Sequence, residues 1–283
     1  MKVTSIFIRK TAGLHEVFLT GIPLKELGSV VNQQEFIQQM VKKKKMALYK
    51  NIKQWPSKVY TTLLFDLDGT LMNSRLSVMH AAYEVACSYI PGKFTFAELN
   101  KRFGEPFSSF VEFTGLSHLH DEIRRSYVKQ VKKNHDLLVK PYPFVKEGLT
   151  QLKKLGYKLG IVTNKERELV ELGLSRVGID GLFHGVVCIE DVHAGKPAAE
   201  PILKALSLMQ SQPEETLMIG DTLFDIQAAV RAGTASAHLQ NEDYAHPNPF
   251  QATYCFKDFS GLFAFLKELH QRNGGIGPWQ QQG

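Results

Sequence analysis

The sequence VYTTLLFD, residues 59–66, runs directly into LDGT, residues 67–70. Its apolar and β-branched residues predict a buried strand that ends at Asp66. Ligands of open α/β sheets bind outside the carboxyl ends of the strands, so we expect Asp66 and Asp68 to face such a crevice. A D-x-D-G-T string alone is also compatible with a surface turn or a calcium loop, but the buried strand before it favours a site at the sheet edge.

Three more stretches read as buried strands: YKLGIVTN (157–164), HGVVCIED (184–191) and ETLMIGD (215–221). Helical patterns follow the four strands near residues 74–90, 166–176, 198–210 and 222–232. Buried strands that alternate with helices predict a parallel α/β sheet. Residues 75–145 contain helical patterns without a convincing strand, and they are too long for a plain crossover, so we expect an inserted helical domain there.

Polar residues end two of these strands in patterns that suit phosphate chemistry. Thr163 and Asn164 offer a hydroxyl and an amide that can donate to a phosphate oxygen, although Thr-Asn at a strand end is more often a helix cap. Asp221 ends the last strand, and Asp225 lies in the first turn of the next helix. A helix cap explains one aspartate but not both. Lys196, between a glycine and a proline, is either a fixed cation or a solvated loop lysine.

The chain has 283 residues and a net charge of +6, and 43% of its residues are hydrophobic. No run approaches the ~20 apolar residues of a membrane-spanning helix. The three cysteines, Cys87, Cys188 and Cys255, are odd in number and far apart. They argue against a disulfide framework and favour a reducing compartment, so we expect a cytoplasmic protein.

The positive charge is concentrated at the N-terminus. Residues 1–60 hold 11 Lys and Arg against 3 acidic residues, a net of +8, while the remainder has a net of −2. Residues 3–10 and 15–22 predict a β-hairpin, and a helical pattern runs from Asn32 towards Pro56. Lys42–Lys45 suggest contact with anionic lipid or nucleic acid. We favour the alternative, a solvated charged helix, and expect no nucleic-acid binding by the rest of the chain.

Together, DxDGT, a strand-ending threonine, a lysine and GDxxxD resemble the four-motif signature of the haloacid dehalogenase superfamily, specifically its phosphatases. The resemblance covers about residues 60–270. It implies that Asp66 attacks phosphorus and forms an aspartyl-phosphate. It implies that Asp68 protonates the leaving group and then activates water. One departure is Asn73-Ser74, where such phosphatases often have Asp-Ser.

The resemblance also implies a cofactor, Mg²⁺, bound by Asp66, the backbone carbonyl of Asp68 and Asp221, with support from Asp225. The remaining motif residues, Thr163, Asn164 and Lys196, would hold the substrate phosphate. Simple electrostatics agrees with a need for cations. A phosphate beside these carboxylates would be repelled by about 4 kcal/mol per charge pair at ~4 Å and an effective dielectric constant of ~20.

The resemblance sets the expected organisation: an α/β fold, with a Rossmann-like parallel sheet core, an inserted α-helical cap domain and a small N-terminal appendage. The expected boundaries are 1–58 for the appendage (hairpin plus helix), 59–74 and 146–272 for the core, 75–145 for the cap and 273–283 for a disordered tail. Gly104 and Pro106 resemble a substrate loop of the cap, with a plain interhelical turn as an equal alternative.

Residues 89–93, 134–136 and 152–163 look like the bacterial inorganic pyrophosphatase branch, next to phosphoglycolate phosphatase. We therefore expect an enzyme, a Mg²⁺-dependent phosphohydrolase. Its partner would be a small-molecule phosphate substrate, either a phosphoglycolate-like monoester or inorganic pyrophosphate. The alternatives are a β-phosphoglucomutase-like phosphomutase and a lipid- or nucleic-acid-binding N-terminal module fused to a phosphatase core.

Overall fold

The computed structural model describes residues 5–11, 14–20, 59–241 and 252–274. The chain divides into two units, Met1–Trp55 and Pro56–Gly283. In the first unit, β1 (Ser5–Thr11) pairs antiparallel with β2 (Leu14–Thr20), and each strand overlaps one of the two runs predicted as a hairpin. The helix predicted from Asn32 and the tail after residue 274 lie outside the described residues.

The second unit contains a six-stranded sheet in which every neighbouring pair is parallel, as the sequence predicts. Its strand order is β10-β9-β8-β3-β6-β7. A two-stranded antiparallel pair, β4 with β5, lies apart from this sheet. The strands are β3 (Thr62–Phe65), β4 (Met72–Asn73), β5 (Lys140–Pro141), β6 (Lys158–Val162), β7 (Gly185–Val187), β8 (Thr216–Gly220), β9 (Ala235–Leu239) and β10 (Tyr254–Phe256).

Nine helices of the described residues accompany these strands. They are α1 (Arg75–Tyr89), α2 (Phe96–Asn100), α3 (Phe107–Thr114), α4 (His120–Leu138), α5 (Val145–Lys154), α6 (Arg167–Val177), α7 (Glu200–Met209), α8 (Leu223–Ala232) and α9 (Phe259–Arg272). Short 3-10 turns lie at Ser117–Leu119, Ile189–Asp191 and Pro213–Glu215.

Helices cover both faces of the sheet, which explains why its central strands read as continuous apolar runs. On one face, Leu64 of β3 and Met218 of β8 are buried in a cluster with Ile202 of α7 and Ala229 of α8. On the other face, the ring of Phe65 stacks against Phe259 of α9, with 6.1 Å between ring centroids. Burial on both faces fixes β3, and with it the position of the residues that follow it.

Residues 75–145 hold α1 to α4, and these helices form a second apolar cluster of their own that includes Met79, Leu99, Phe110 and Ile123. The chain passes between this helical insert and the sheet at two places. The strands β4 and β5 pair at these crossings, with Met72 opposite Pro141. The predicted inserted helical cap is therefore present. Among the described residues, none of the helices combines the length and apolarity needed to cross a bilayer.

Candidate active site

The polar residues singled out in the sequence meet at the carboxyl edge of the parallel sheet. Asp66 directly follows β3, which pairs with β6 on one side and β8 on the other. Thr163 follows β6 and Asp221 follows β8. Lys196 comes from the loop between β7 and α7. Strand order therefore brings these residues together although up to 155 positions separate them.

Lys196 is the central cation of the site. Its Nζ lies 2.7 Å from Asp66 Oδ1, 2.6 Å from Asp225 Oδ1 and 2.8 Å from the carbonyl oxygen of Val162. The side chain is only 3% exposed. These three acceptors use all three N–H groups of the ammonium. Lys196 can therefore act on a bound phosphate through its charge, while its hydrogen bonds hold the carboxylates.

Asp225 is completely buried and links the lysine to the start of α8. One carboxylate oxygen accepts from Lys196, and the other accepts from the backbone N–H of Thr222 at 3.0 Å and from its hydroxyl at 2.7 Å. This engages both oxygens within the protein. The sequence analysis places Asp225 in the first turn of a helix, and the structure shows that its carboxylate both caps the start of α8 and pairs with Lys196.

Three carboxylates, those of Asp66, Asp221 and Asp225, each place an oxygen within 4.8 Å of the others. The Thr70 hydroxyl orients Asp221 by donating to its Oδ1 at 2.8 Å. A Cβ atom at Gly69 would lie 2.3 Å from the other oxygen of Asp221, so any side chain there would displace this carboxylate. Hard carboxylate oxygens are the ligands of Mg²⁺ and Ca²⁺, and the donor set fits such an ion.

Burial and mutual repulsion perturb these carboxylates. Burial raises the pKa of Asp66 to about 7, against the opposing effect of Lys196, and the charges of Asp225 and Asp68 add to the rise. The pKa of Asp221 is also raised well above its usual range, through burial and then the charges of Asp66 and Asp225. One lysine does not balance three neighbouring carboxylates, so the group favours binding of an added cation.

The Asp68 side chain is not part of this group and has partners of its own. Its Oδ1 and Oδ2 lie 2.8 and 2.9 Å from Nζ of Lys165, and the Ser74 hydroxyl donates to Oδ1. Both Asp68 and Lys165 line the same cavity as Asp66. The predicted metal contribution of Asp68 rests on its backbone carbonyl, and the position of the side chain leaves it for a different task.

The two residues that follow β6 have different environments. The Thr163 hydroxyl accepts from the backbone N–H of Lys165 at 3.2 Å, which leaves its own hydrogen for another acceptor. The Asn164 amide donates to the carbonyls of Gly104 at 3.1 Å and Lys196 at 2.8 Å, and accepts from the Lys196 N–H at 2.8 Å. Both amide N–H groups are engaged. The Asn164 side chain thus joins two loops, and its contact with a substrate phosphate stays a prediction.

A cavity of about 90 Å³ lies between the sheet edge and the helical insert. The sheet side contributes Asp66, Asp68, Thr163, Asn164, Lys165, Glu166, Leu169, Lys196 and Thr222. The insert contributes Val78, Met79, Ala82, Arg102, Phe103, Gly104, Glu105, Phe107, Phe110 and Tyr127. Because both parts line it, closure of the insert would separate its contents from water.

The insert loop predicted to contact substrate reaches this cavity only in part. Gly104 lines it, whereas Pro106 is absent from the described residues that do so and instead precedes α3. Next to Gly104, the Arg102 guanidinium pairs with Glu105 at 2.6 Å and stacks on the ring of Phe113 at 3.6 Å from its centroid. The substrate contact of Gly104 and Pro106 stays a prediction.

Sequence reasoning missed several residues of the cavity. Tyr127 comes from α4, and its pKa is raised by burial and by the charges of Asp68 and Glu166. Glu166 itself pairs with Arg124 of α4 at 2.7 Å, which ties the insert to the start of α6. Helical periodicity predicts only that Tyr127 lies on the apolar face of its helix, and it does not indicate that this residue lines the cavity. Likewise, the sequence does not predict that Lys165 pairs with Asp68; it shows only that Lys165 directly follows Thr163 and Asn164.

Comparison with known proteins agrees with this geometry. Residues 63–239 match the family model described as haloacid dehalogenase-like hydrolase. Pyrophosphatase PpaX of Anoxybacillus flavithermus is 39% identical over 207 residues, which is 72% of this chain and 96% of that protein. Pyrophosphatase PpaX of Bacillus thuringiensis is 34% identical over 212 residues, or 74% of this chain and 98% of that protein.

Solved structures share the fold. A protein of Lactobacillus plantarum assigned as a phosphoglycolate phosphatase has a TM-score of 0.63 and 26% identity over 75% of this chain and 99% of its own. A Bacteroides vulgatus protein assigned as a β-phosphoglucomutase has a TM-score of 0.64 over 82% of this chain and 98% of its own, but at 20% identity it shows the fold alone. The motifs, the sheet edge on which they meet and these matches agree: the chain belongs to the haloacid dehalogenase-like hydrolase family.

Proposed function

We propose that this protein is a Mg²⁺-dependent phosphohydrolase that acts on a small phosphorylated substrate through an aspartyl-phosphate on Asp66. The observation that carries the proposal is the setting of Asp66. This carboxylate directly follows the central strand β3, borders the cavity, lies 2.7 Å from the Lys196 ammonium and belongs to the three-carboxylate group. A nucleophile needs an ionised oxygen beside the reacting atom, and nearby cations favour that ionised form.

The reaction has two half-reactions that use the same pair of aspartates. An oxygen of Asp66 forms a bond to phosphorus while the bond from phosphorus to the leaving oxygen breaks, and Asp68 gives that oxygen its proton. The Asp68 carboxylate then takes a proton from water. The water oxygen bonds to phosphorus, the bond between Asp66 and phosphorus breaks, and phosphate leaves.

Phosphoryl transfer depends mainly on positioning and on stabilisation of charge. Asp66, Asp221 and the backbone carbonyl of Asp68 would hold Mg²⁺, which when bound supplies the positive charge that the phosphate and the carboxylates require. Lys196 adds a second positive charge. Because the oxygens of Asp225 are engaged with Lys196 and Thr222, we assign Asp225 the task of fixing this lysine and supporting the metal site from behind.

The phosphate contacts follow from the donors that the sheet edge leaves available. The Thr163 hydroxyl has a hydrogen to donate and lines the cavity. The Asn164 side chain fixes the loops that carry Gly104 and Lys196. Lys196 would contribute through its charge.

Inorganic pyrophosphate and a phosphoglycolate-like monoester are the substrates we put first. Two observations support this choice: the PpaX pyrophosphatases are 34–39% identical over nearly their whole length, and a cavity of about 90 Å³ suits a small molecule. All three cysteines are free thiols, which fits action in the reducing cytoplasm.

The test compares Asp66→Asn with Asp180→Asn, a change at an exposed aspartate outside the cavity. Hydrolysis of pyrophosphate, phosphoglycolate, a sugar phosphate and an aryl phosphate is measured with Mg²⁺ and with EDTA. We expect Asp180→Asn to behave like the unaltered protein and Asp66→Asn to lose all four activities. Activity that survives EDTA, or in Asp66→Asn, would refute the proposal.

The same panel addresses the alternatives. Conversion of β-glucose 1-phosphate to glucose 6-phosphate without release of phosphate would favour the phosphomutase. Salt-sensitive binding of the full-length protein to anionic vesicles or nucleic acid, lost after deletion of residues 1–55, would favour a binding role for the basic N-terminal segment. The phosphomutase and the N-terminal binding module remain the alternative hypotheses. The contact of residues 1–58 with lipid or nucleic acid stays a prediction.

A further inference from the structure

Lys165 and Asp68 form a nearly enclosed ion pair on the wall of the cavity. The Lys165 Nζ lies 2.8 Å from Asp68 Oδ1 and 2.9 Å from Oδ2, and the two side chains are 6% and 15% exposed. The Ser74 hydroxyl donates to the same Oδ1. Donors from two separate segments, the residue before α1 and the loop after β6, therefore meet on one carboxylate.

We propose that Lys165 is a positioning residue that holds the side chain of Asp68 where its protonated form gives a proton to the leaving group; this rests on the proposed function. Asp68 lies in the loop three residues beyond the end of β3. Ser74 holds one oxygen only. A charge-assisted contact to both oxygens fixes the plane of the carboxylate as well as its place, and a proton donor must lie within hydrogen-bond reach of the leaving atom.

Among the described residues that line the cavity, Lys196 is the other lysine, and it cannot take this task. The three N–H groups of Lys196 are engaged by Asp66, Asp225 and the Val162 carbonyl. In the part of the chain that the structure describes, the hydrogen bonds of the Lys165 ammonium go to Asp68. Each of the two lysines therefore pairs with a different aspartate: Lys196 contacts the nucleophile Asp66, and Lys165 contacts the proton donor Asp68.

The test uses the acidity of the leaving group. The kcat/KM of this reaction reports the first half-reaction, in which Asp66 is phosphorylated. The 2,4-dinitrophenolate of an aryl phosphate leaves without a proton, whereas the alcohol of phosphoglycolate or glycerol phosphate needs one from Asp68. For Lys165→Met we expect kcat/KM to fall about 100-fold with the alkyl phosphate and less than about tenfold with 2,4-dinitrophenyl phosphate. Equal falls with both substrates would overturn the proposal.

Matched variants keep the result decisive. Lys153→Met removes an ammonium that contacts the Gly181 carbonyl outside the cavity. This variant should leave kcat/KM unchanged with both substrates. Lys165→Arg keeps a charged donor and should return the ratio of the two kcat/KM values towards that of the unaltered protein. If Lys165→Met does not fold, Lys165→Gln gives the same comparison, with the same two outcomes.

The failure of this inference is distinguishable from failure of the proposed function. Asp66→Asn should abolish hydrolysis of both substrates. If it does, and the loss in Lys165→Met is equal for both, only the role of Lys165 is refuted. If Asp66→Asn retains activity, the proposed function itself is refuted.

Discussion

Lys196 Nζ lies 2.7 Å from Asp66 Oδ1 and is shared with Asp225 Oδ1 at 2.6 Å. Burial opposes the charge of Lys196, but the adjacent Asp225 and Asp66 outweigh it and raise the pKa of the ammonium. Lys196 therefore stays charged, and its removal would leave buried carboxylates without a counter-charge. Such a loss costs about 3–5 kcal/mol in proteins.

We accordingly predict that Lys196→Met lowers the free energy of unfolding by about 3 kcal/mol or more in EDTA. Mg²⁺ should restore part of the loss, because an added cation compensates the same carboxylates. Urea unfolding with and without Mg²⁺ measures both effects, and Lys153→Met, at a solvent-exposed contact, serves as the control. An unfolding free energy in EDTA equal to that of Lys153→Met would contradict the prediction.

The raised pKa of Asp66, about 7, predicts how stability depends on pH in the absence of metal. The unfolded chain has a pKa near 3.9 for aspartate, so the folded protein retains a proton that the unfolded chain has released. The contribution to stability is complete below about pH 4 and is lost as the pH rises through about 7. Asp221, whose pKa is also raised, acts in the same direction.

We therefore expect the unfolding free energy in EDTA to fall between pH 5 and 8, by on the order of a few kcal/mol from Asp66. Burial lowers the pKa of His184, which acts in the opposite sense, so the difference between the unaltered protein and Asp66→Asn isolates the effect. That difference should shrink when Mg²⁺ is saturating. If the unfolding free energies of the two proteins in EDTA change with pH in parallel, the prediction for Asp66 is contradicted.

Whether a strand can be predicted from the sequence depends on which interactions determine it. The strands β3, β6 and β8 are buried on both faces, so their continuous apolar runs were readable, and the residues at their ends were predictable with them. In contrast, β9 has the sequence ASAHL, whose small and polar residues give no strand pattern, and β10 is a three-residue strand at the sheet edge. Pairing with β8 and β9 creates these two strands.

The site shows the same division. Asp66, Asp221 and Lys196 meet because the strand order brings their loops to one edge, and a motif in fixed order was enough to predict that. The use of the Asn164 amide to join two loops, and the pairing of Lys165 with Asp68, depend on side-chain directions across 32 to 97 positions of the chain. Local sequence pattern carries no such information, so the sequence analysis did not predict these two sets of contacts.

Asn164 provides a test of how the insert is held against the sheet. We predict that Asn164→Ala, which removes its hydrogen bonds to Gly104 and Lys196, lowers kcat/KM by about tenfold, equivalent to ~1.4 kcal/mol. Asn164→Asp keeps the acceptor for the Lys196 N–H but loses both donors, so it should be no better than alanine. Steady-state kinetics of both variants decides. Recovery of full activity in Asn164→Asp would show that the amide donors are dispensable.

The insert loop offers a matched pair of glycines for the final prediction. Gly104 has a φ of +91°, and a Cβ there would lie 2.9 Å from Thr222 Cγ2, whereas Gly92 has a φ of +75° and nothing within 4 Å. Both alanine variants meet a similar backbone cost, roughly 1–2 kcal/mol, but only Gly104→Ala pushes the cavity wall away from the sheet. Because displacement of about 1 Å can cost up to ~100-fold in rate, we expect Gly104→Ala to lower kcat/KM at least tenfold, while Gly92→Ala leaves it unchanged at a similar melting temperature. Equal kinetics in the two variants would mean that the contact between Gly104 and Thr222 has no part in catalysis.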